Sequence, residues 1–346
     1  MRSERPKPLH LLCGRPMLVY VLDSLGGLSA ERAVIVVGHK GEWVTKKMQE
    51  HVHDLKLEFV EQTVQRGTGD ATMVGLVGLS DLEEEGDLLV LPGDTPLLRQ
   101  ETLGNLVEVH RTSGAAATIL TAELTDPTGY GRVVRGGDGS VKRIVEHADA
   151  SDDELEISEV NTSIYCFRRS LLSPALRRIE PDNAQGEYYL TDVIDVLVSA
   201  GHEVGAVVAG DPAETSGVND RLQLAQAEAE LRRRTNDQLM RSGVTMVDPS
   251  TTYVDTTVTL GQDVTLFPGV ILQGETTVGD RTEIGSGCRL VDTVVGADCV
   301  VEKTVSDNAR IGDRCQVGPF AHLFPGSEFA SDSSTGAFYT PDGDSN

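Results

Sequence analysis

The feature that most constrains the fold of this chain is an aliphatic residue that recurs every six positions in the last third. The phase runs Val254, Leu260, Leu266, Leu272, Val278, Ile284 and Leu290, then slips by one to Val295 and Val301. After an insertion it resumes at Ile311, Val317 and Leu323. The residue four positions after each of these is small or β-branched. Such a hexapeptide repeat predicts a parallel β-helix of roughly four coils, with the aliphatic side chains inside.

The same period explains three of the five cysteines. Cys288, Cys299 and Cys315 fall on the small position of the repeat, where a compact side chain fits the corner of a coil. The cysteine number is odd and no Cys-x-x-Cys pair occurs. This usage indicates reduced thiols rather than a disulfide framework or a zinc site.

The first two-thirds alternates short apolar runs with helical segments. The runs are Ala33–Val37, Leu57–Val60, Leu88–Leu91 and Ala115–Ala122. Strands that are apolar on both faces and separated by helices predict a parallel sheet covered on both sides, and later strands favour a mixed extension. Asn219–Gly243 predicts a connecting helix. We therefore expect a sheet domain over residues 1–218, a linker helix over 219–243, a β-helix over 244–328 and a polar tail over 329–346.

Charge excludes some partners. Asp and Glu outnumber Lys and Arg by 54 to 30, and the net charge is −24. This argues against nucleic acid or an anionic membrane as the main partner. No apolar run approaches the roughly 18 residues that span a bilayer, and the N-terminus lacks the apolar stretch of a signal peptide. We expect a cytoplasmic protein with no membrane span.

Three segments could carry chemistry. The apolar run Leu88–Leu91 leads through a Pro-Gly turn to Asp94, at the edge of a sheet where ligands bind and where a carboxylate could hold a hard metal ion. Lys7 stands between two prolines, which can aim its ammonium at a phosphate. Small residues over 67–69 let a ligand approach the start of a helix. Taken singly, Asp94 could equally be a solvated turn residue, and Lys7 is better explained as a flexible terminal lysine.

The order of these motifs resembles one family, the bifunctional bacterial N-acetylglucosamine-1-phosphate uridyltransferase/glucosamine-1-phosphate acetyltransferases. The resemblance covers residues 1 to about 338 and implies a Rossmann-like α/β nucleotidyltransferase domain with a mixed sheet, followed by a left-handed parallel β-helix. The matching segments are Pro6-Lys7-Pro8-Leu9-His10, Cys13-Gly14-Arg15-Pro16-Met17, Gln65-Arg66-Gly67-Thr68-Gly69, Gly93-Asp94-Thr95-Pro96-Leu97, Pro127-Thr128-Gly129-Tyr130-Gly131-Arg132, Ile144-Val145-Glu146-His147, Gln185-Gly186-Glu187-Tyr188-Tyr189-Leu190-Thr191-Asp192 and Gly217-Val218-Asn219-Asp220-Arg221-Leu222.

The resemblance implies UTP and N-acetylglucosamine 1-phosphate as substrates and UDP-N-acetylglucosamine, a cell-wall precursor, as product. Lys7 would contact the phosphates. Gln62, Gly67 and Thr68 would hold the uracil.

The resemblance also implies Mg²⁺ and a homotrimer assembled through the β-helix. Asp94 and Asn219 would bind the metal, and Pro92, Gly93 and Asp94 would line the nucleotide site. The sugar would be held by Gly131, Glu146 and Asn161.

Departures from the family pattern lead to further expectations. The family's first strand and its Leu-x-x-Gly-x-Gly-Thr-Arg-Met loop end at the position of Met1, so we expect the upstream reading frame to encode them and the chain as given to turn over poorly. A sheet without that strand would expose two unpaired edges. At the other end we expect fewer coils than in the family, and Phe324 and Asp342 stand where the family has Arg and Lys, which predicts no acetylation of glucosamine 1-phosphate. A non-catalytic trimeric module, or an enzyme for another sugar phosphate or nucleotide, stays open.

Overall fold

The computed structural model describes residues 1–79 and 86–341. The chain divides into two compact units. The first comprises Met1–His10 and Pro16–Gln223, and the second comprises Leu11–Arg15 and Leu224–Asn346. Within the described residues, none of the helices combines the length and the apolarity that a bilayer crossing requires.

Short helices and strands alternate through the first unit, as the apolar runs predict. The α-helices are α1 Met17–Asp23, α2 Gly41–His51, α3 Thr68–Val77, α4 Gln100–Ser113, α5 Asp152–Leu155, α6 Arg169–Leu176 and α7 Asp192–Ser199. Two short strands, β1 Leu11–Leu12 and β2 Arg15–Pro16, pair with each other and, apart from Pro16, lie in the Leu11–Arg15 segment of the second unit. The strands of the first unit are β3 Ala33–Val37, β4 Leu57–Glu61, β5 Asp87–Val90, β6 Ala117–Glu123, β7 Arg132–Arg135, β8 Val141–Val145, β9 Glu159–Arg168 and β10 Val204–Val208. Single 3₁₀ turns lie at Lys7–Leu9 and Pro212–Thr215.

The main sheet of this unit is mixed, which confirms the expected fold class. Its order is β10-β6-β9-β7-β8, and β5 pairs with β9 beside this path. The β10–β6 pair is parallel, whereas β9 runs antiparallel to both β5 and β6. Six of the seven residues of β6 are buried, so this strand forms the centre of the core.

A separate parallel pair, β3 with β4, stands outside the main sheet. In the described part of the chain, β3 has β4 as its only strand neighbour, and β5 has only β9. Each of these two strands therefore has one open edge. All five residues of β3 are only partly buried, although every one is apolar.

A long helix, α8 Arg221–Arg241, precedes the β-helix of the second unit. Its Asn236 is buried and donates from Nδ2 to the backbone oxygens of Pro249 and Thr252, at 2.9 and 3.0 Å. These bonds fix the end of the helix to the first turn of the repeat that follows. A 3₁₀ turn lies at Pro249–Thr251.

The repeat forms three parallel sheets of five short strands each, consistent with a left-handed β-helix. There are thus about five turns, and the expectation of roughly four is wrong. The first sheet contains Thr245–Met246, Thr265–Leu266, Glu283–Ile284, Val300–Val301 and Gln316–Val317. The second contains Tyr253–Val254, Ile271–Gln273, Arg289–Val291, Val305–Asp307 and His322–Leu323, and the third Thr259–Leu260, Thr277–Val278, Val294–Val295, Arg310–Ile311 and Glu328–Phe329.

The predicted insertion after Val301 is also wrong. Ser306 pairs with Leu290 across the sheet, is buried, and occupies the inward position between Val301 and Ile311. Its hydroxyl lies 2.9 Å from that of Thr293, so the polar pair satisfies itself inside the core. The repeat continues here with a serine in the aliphatic position.

The predicted packing role of three cysteines is confirmed. Cys288, Cys299 and Cys315 are buried in the core of the β-helix. None of the five cysteines of the chain forms a disulfide.

Candidate functional site

The turn after β5 holds Asp94 at a fixed place. The Asp94 backbone oxygen accepts a hydrogen bond from the Val218 nitrogen at 2.9 Å. A Cβ on Gly217 would lie 3.7 Å from both carboxylate oxygens of Asp94. The turn Pro92–Asp94 and the segment leading to Asn219 are therefore adjacent, although they are far apart in the sequence.

Lys7 connects these two segments. Its Nζ donates to Asp94 Oδ2 in a very short ion pair and to Asn219 Oδ1 at 2.5 Å. The prolines on either side of Lys7 and the 3₁₀ turn that it begins orient the side chain. The three residues predicted to bind phosphate and metal thus meet at one point.

The oxygens of Asp94 and Asn219 converge on a cation in this arrangement. Among the described residues, no group of three or more His, Cys, Asp or Glu side chains could enclose a metal ion. One carboxylate and one amide oxygen are nevertheless the kind of partial oxygen set that Mg²⁺ uses when substrate phosphates and water complete its shell.

The loop before α3 and the first residue of that helix contain the three residues predicted to hold the base. Gly67 has φ of 103° and precedes Thr68, the first residue of α3. A Cβ on Gly67 would lie 2.6 Å from the backbone oxygen of Tyr188, so only glycine fits. The Gln62 side chain reaches this loop, with Nε2 3.3 Å from the Gly67 oxygen.

The predicted sugar residues form a second group. The Asn161 nitrogen donates to the Gly131 oxygen at 2.9 Å, and a Cβ on Gly131 would lie 3.3 Å from Glu146 Oε2. The buried Asn161 amide also donates to the Tyr165 hydroxyl at 2.8 Å. Gly131, Glu146 and Asn161 are therefore brought together by β7, β8 and β9.

Electrostatics relate this group to the Asp94 turn. Burial, and to a smaller extent the charge of Asp94, raise the pKa of Tyr130, the residue before Gly131. Burial also raises the pKa of Glu146. Asp94 therefore lies within electrostatic reach of Tyr130, and Glu146 lies beside the next residue, Gly131.

The segment from Tyr188 to Thr191, which no predicted site residue covers, connects the base loop to the sugar group. The Tyr188 backbone pairs with Arg66 and Gly69, each at 2.8 Å. Farther on, the Leu190 nitrogen donates to Thr68 Oγ1 at 3.1 Å, and the buried Thr191 hydroxyl donates to Glu146 Oε1 at 3.0 Å. The Gln185–Asp192 match was the only signal for this segment.

Acidic groups surround the end of this segment. Burial, with the charges of Glu146 and Asp149, raises the pKa of Asp192 to about 6. The Tyr189 hydroxyl is buried and without a hydrogen-bond partner in the described structure. Burial and the same carboxylates raise its pKa to about 12, so it stays a neutral donor at physiological pH.

Phe324 is one of the two positions of the second unit that depart from the family pattern. The Phe324 ring is partly exposed and lies 4.5 Å from the ring of His322. It offers no charge to a phosphate. Asp342 lies outside the described residues.

Comparison with known proteins places the chain. A family model described as nucleotidyl transferase matches residues 2–212. The chain is 43% identical over 338 residues to the bifunctional protein GlmU of Shouchella clausii, covering 98% of this chain and 73% of that protein. It is 46% identical over 339 residues to the bifunctional protein GlmU of Streptomyces coelicolor, covering 98% and 70%. The chain is therefore a nucleotidyltransferase that belongs to the GlmU family.

Proposed function

We propose that this protein transfers a uridylyl group from UTP to N-acetylglucosamine 1-phosphate, with Mg²⁺, to give UDP-N-acetylglucosamine for cell-wall synthesis and pyrophosphate. The observation that carries the proposal is the meeting of Lys7, Asp94 and Asn219 at one point. Membership of the GlmU family supports the identity of the substrates. The reaction is cytoplasmic, where UTP is available.

The residues present fit a magnesium ion. Asp94 Oδ2 and Asn219 Oδ1 already converge on the cationic Nζ of Lys7, and both are the hard oxygen donors that Mg²⁺ prefers. When bound, the ion would neutralise the charge of the triphosphate and of the leaving pyrophosphate. Lys7 supplies a second positive charge beside this site.

No general base is needed. The nucleophile is a phosphate oxygen of the sugar phosphate, which is already an anion near pH 7. It forms a bond to the α-phosphorus of UTP while the bond from that phosphorus to the bridging oxygen breaks, and the electron pair leaves with pyrophosphate. The protein's task is to align two anions and to stabilise charge on the α-phosphoryl group.

Positive charge must be local in this protein because its net charge of −24 repels both substrates. Lys7 answers that need in the phosphate region. It is held beside Asp94 and Asn219 before any substrate arrives, and its ammonium would turn from these two oxygens toward the phosphates when Mg²⁺ takes them.

The remaining predicted residues divide the substrates between them. Gln62, Gly67 and Thr68 hold the uracil, and Pro92 and Gly93 line the nucleotide. The sugar hydroxyl and acetamido groups face Gly131, Glu146 and Asn161. The carboxylate of Glu146 accepts hydrogen bonds, and the amide of Asn161 can both donate and accept them.

We also propose a homotrimer assembled through the β-helix. Its outer surface exposes large apolar side chains, among them Val305, Phe320 and Phe338, and the two phenyl rings stack at 5.0 Å. Light scattering at micromolar concentration is expected to give three times the chain mass. Phe320→Asp is expected to yield monomers, and a wild-type monomer would refute the assembly.

Acetylation of glucosamine 1-phosphate is proposed to be absent or very slow. An arginine binds phosphate through a fork of donors, whereas Phe324 has none. Thiol release from acetyl-CoA with glucosamine 1-phosphate is expected to stay at the enzyme-free rate, and turnover clearly above that rate would overturn this proposal.

The test of the main proposal is a substrate panel. UTP, CTP, ATP and GTP are each combined with N-acetylglucosamine 1-phosphate, glucose 1-phosphate or glucosamine 1-phosphate, and pyrophosphate release is followed. Release restricted to UTP with N-acetylglucosamine 1-phosphate supports the proposal. Preference for another pair would assign another substrate, and ligand binding without turnover would indicate a non-catalytic module.

A further inference from the structure

The orientation of one amide in the base loop is fixed by its neighbours. Gln62 follows β4, and its backbone nitrogen donates to the Val37 oxygen at 2.8 Å. Its side-chain Nε2 donates to Asp70 Oδ2 at 2.7 Å and to the Gly67 oxygen at 3.3 Å. A carboxylate and a carbonyl can only accept, so the amide group that faces them must be the NH₂ end.

The other end of the amide is left for a ligand. Within residues 1–79 and 86–341, Gln62 Oε1 has no hydrogen-bond partner. Both hydrogens of Nε2 have acceptors, so the side chain offers only an acceptor. A ligand group that meets it must bring a hydrogen.

We propose that Asp70 is a positioning residue that makes this site select uracil over cytosine, because it holds the Gln62 oxygen toward the base. The inference rests on the proposed function, in which Gln62 faces the uracil ring. Uracil carries a hydrogen on N3, whereas N3 of cytosine is an acceptor and would oppose the Gln62 oxygen. An amide free to rotate could serve both bases, and an amide held by a carboxylate cannot.

The place of Asp70 in the fold suits this role. It lies in the first turn of α3, where the helix dipole favours a negative charge, and it is partly buried. The eight-residue separation from Gln62 brings a residue after a strand against a residue within the next helix. The contact therefore spans the βα connection, because Gln62 directly follows β4 and Asp70 lies in the first turn of α3.

The charge of Asp70 has a second effect that must be separated from the first. A carboxylate near a triphosphate weakens the binding of every nucleotide, so its removal strengthens UTP and CTP binding alike. The ratio of the two affinities is insensitive to that effect. It reports only on the orientation of the amide.

The experiment is calorimetric titration of the full chain with UTP and with CTP, for the wild type, Asp70→Ala and the isosteric Asp70→Asn. Glu101→Gln is the matched control, because Glu101 is an exposed acid in the first turn of α4. Thermal melting checks that each variant is folded. N-acetylglucosamine 1-phosphate is titrated in parallel.

The wild type is expected to bind UTP at least about tenfold more tightly than CTP, because uracil N3–H donates to the Gln62 oxygen, whereas cytosine N3 would place a second acceptor against it. Asp70→Ala is expected to reduce this ratio to below about threefold, and Asp70→Asn to an intermediate value, since an amide can pair with Gln62 in either orientation. Glu101→Gln keeps the wild-type ratio, and sugar-phosphate binding is unchanged in all variants.

Two failures are distinguishable. If wild-type protein binds UTP in preference and Asp70→Ala keeps the full ratio, or changes both affinities by one factor, the role of Asp70 is refuted while the proposed function stands. If the wild type binds neither nucleotide, or prefers CTP, the proposed function fails and this inference with it.

Discussion

A substitution at Asp94 is expected to reduce the catalytic rate strongly while it leaves the stability of the fold almost unchanged. In Asp94→Asn the turn keeps its shape and its backbone bond to Val218, but the carboxylate charge that faces Lys7 is lost. The side chains of Lys7 and Asp94 are 33% and 22% exposed, and ion pairs with such access to water contribute at most about 1 kcal/mol to folding. We expect a fall in melting temperature of no more than a few degrees.

The expected effect on catalysis is much larger. In the proposed function Asp94 would hold Mg²⁺, and the loss of one charged contact to that ion is worth about 1.5–3 kcal/mol, so the rate should fall at least about tenfold. Asp94→Ala should lose at least as much. Pyrophosphate release at increasing Mg²⁺ is the assay, and the variant should need more Mg²⁺ than the wild type.

Asp87→Asn is the matched control for this experiment. Asp87 is the first residue of β5, at the end of the strand opposite to the turn that holds Asp94. Its carboxylate forms an ion pair with Arg111 at 2.5 Å. Asp87→Asn also removes one carboxylate charge, but outside the candidate site, so its activity should remain near the wild-type level. The reasoning is refuted if Asp94→Asn keeps more than half of the activity, or if both variants lose activity equally.

Three further predictions concern the glycine of the base loop, a buried acid and the thiols. Gly67→Ala should lower the free energy of unfolding in urea by about 2 kcal/mol or more, because Gly67 has a positive φ and an added Cβ would lie 2.6 Å from the Tyr188 oxygen. It should also weaken UTP binding. An unchanged free energy of unfolding would count against the close contact. Asp192→Asn should stabilise the fold above pH 6, because the fold disfavours the ionised carboxyl of Asp192, whose pKa is raised to about 6. Below about pH 4 the carboxyl is protonated in both the folded and the unfolded protein, so the melting temperatures of variant and wild type should converge. A difference in melting temperature that is constant across pH would contradict this. The five buried cysteines should resist a thiol reagent in the native protein and all react in denaturant, and rapid native labelling would show that the packing is wrong.

The β-helix was predictable because its signal is repeated. An aliphatic residue at Leu266, Leu272 or Ile284 is uninformative alone, but a fixed period reveals coils that stack on one another. The prediction failed at Ser306 because a polar residue can fill an inward position when a neighbouring hydroxyl satisfies it, here that of Thr293. Hydrophobic periodicity does not register such a pair.

The site was predictable as a set of residues and not as a set of contacts. Lys7, Asp94 and Asn219 could be named from motifs, yet their meeting depends on how three distant segments fold. The bond from Thr191 to Glu146 is of the same kind. Asp70 was not predicted from the sequence, although it lies only eight residues after Gln62 and its bond to that side chain is local.

The most direct test of the account is whether the purified chain converts UTP and N-acetylglucosamine 1-phosphate to UDP-N-acetylglucosamine and pyrophosphate in Mg²⁺. Product is separated by anion exchange and identified by mass, with Lys7→Ala and Asp94→Asn as the paired negatives. The account predicts one UDP-sugar per pyrophosphate for the wild type, loss of product on chelation of Mg²⁺, and a signal at least about tenfold lower in both variants. Product formed equally well by Lys7→Ala or by Asp94→Asn, or no product from the wild type with both substrates bound, would contradict it.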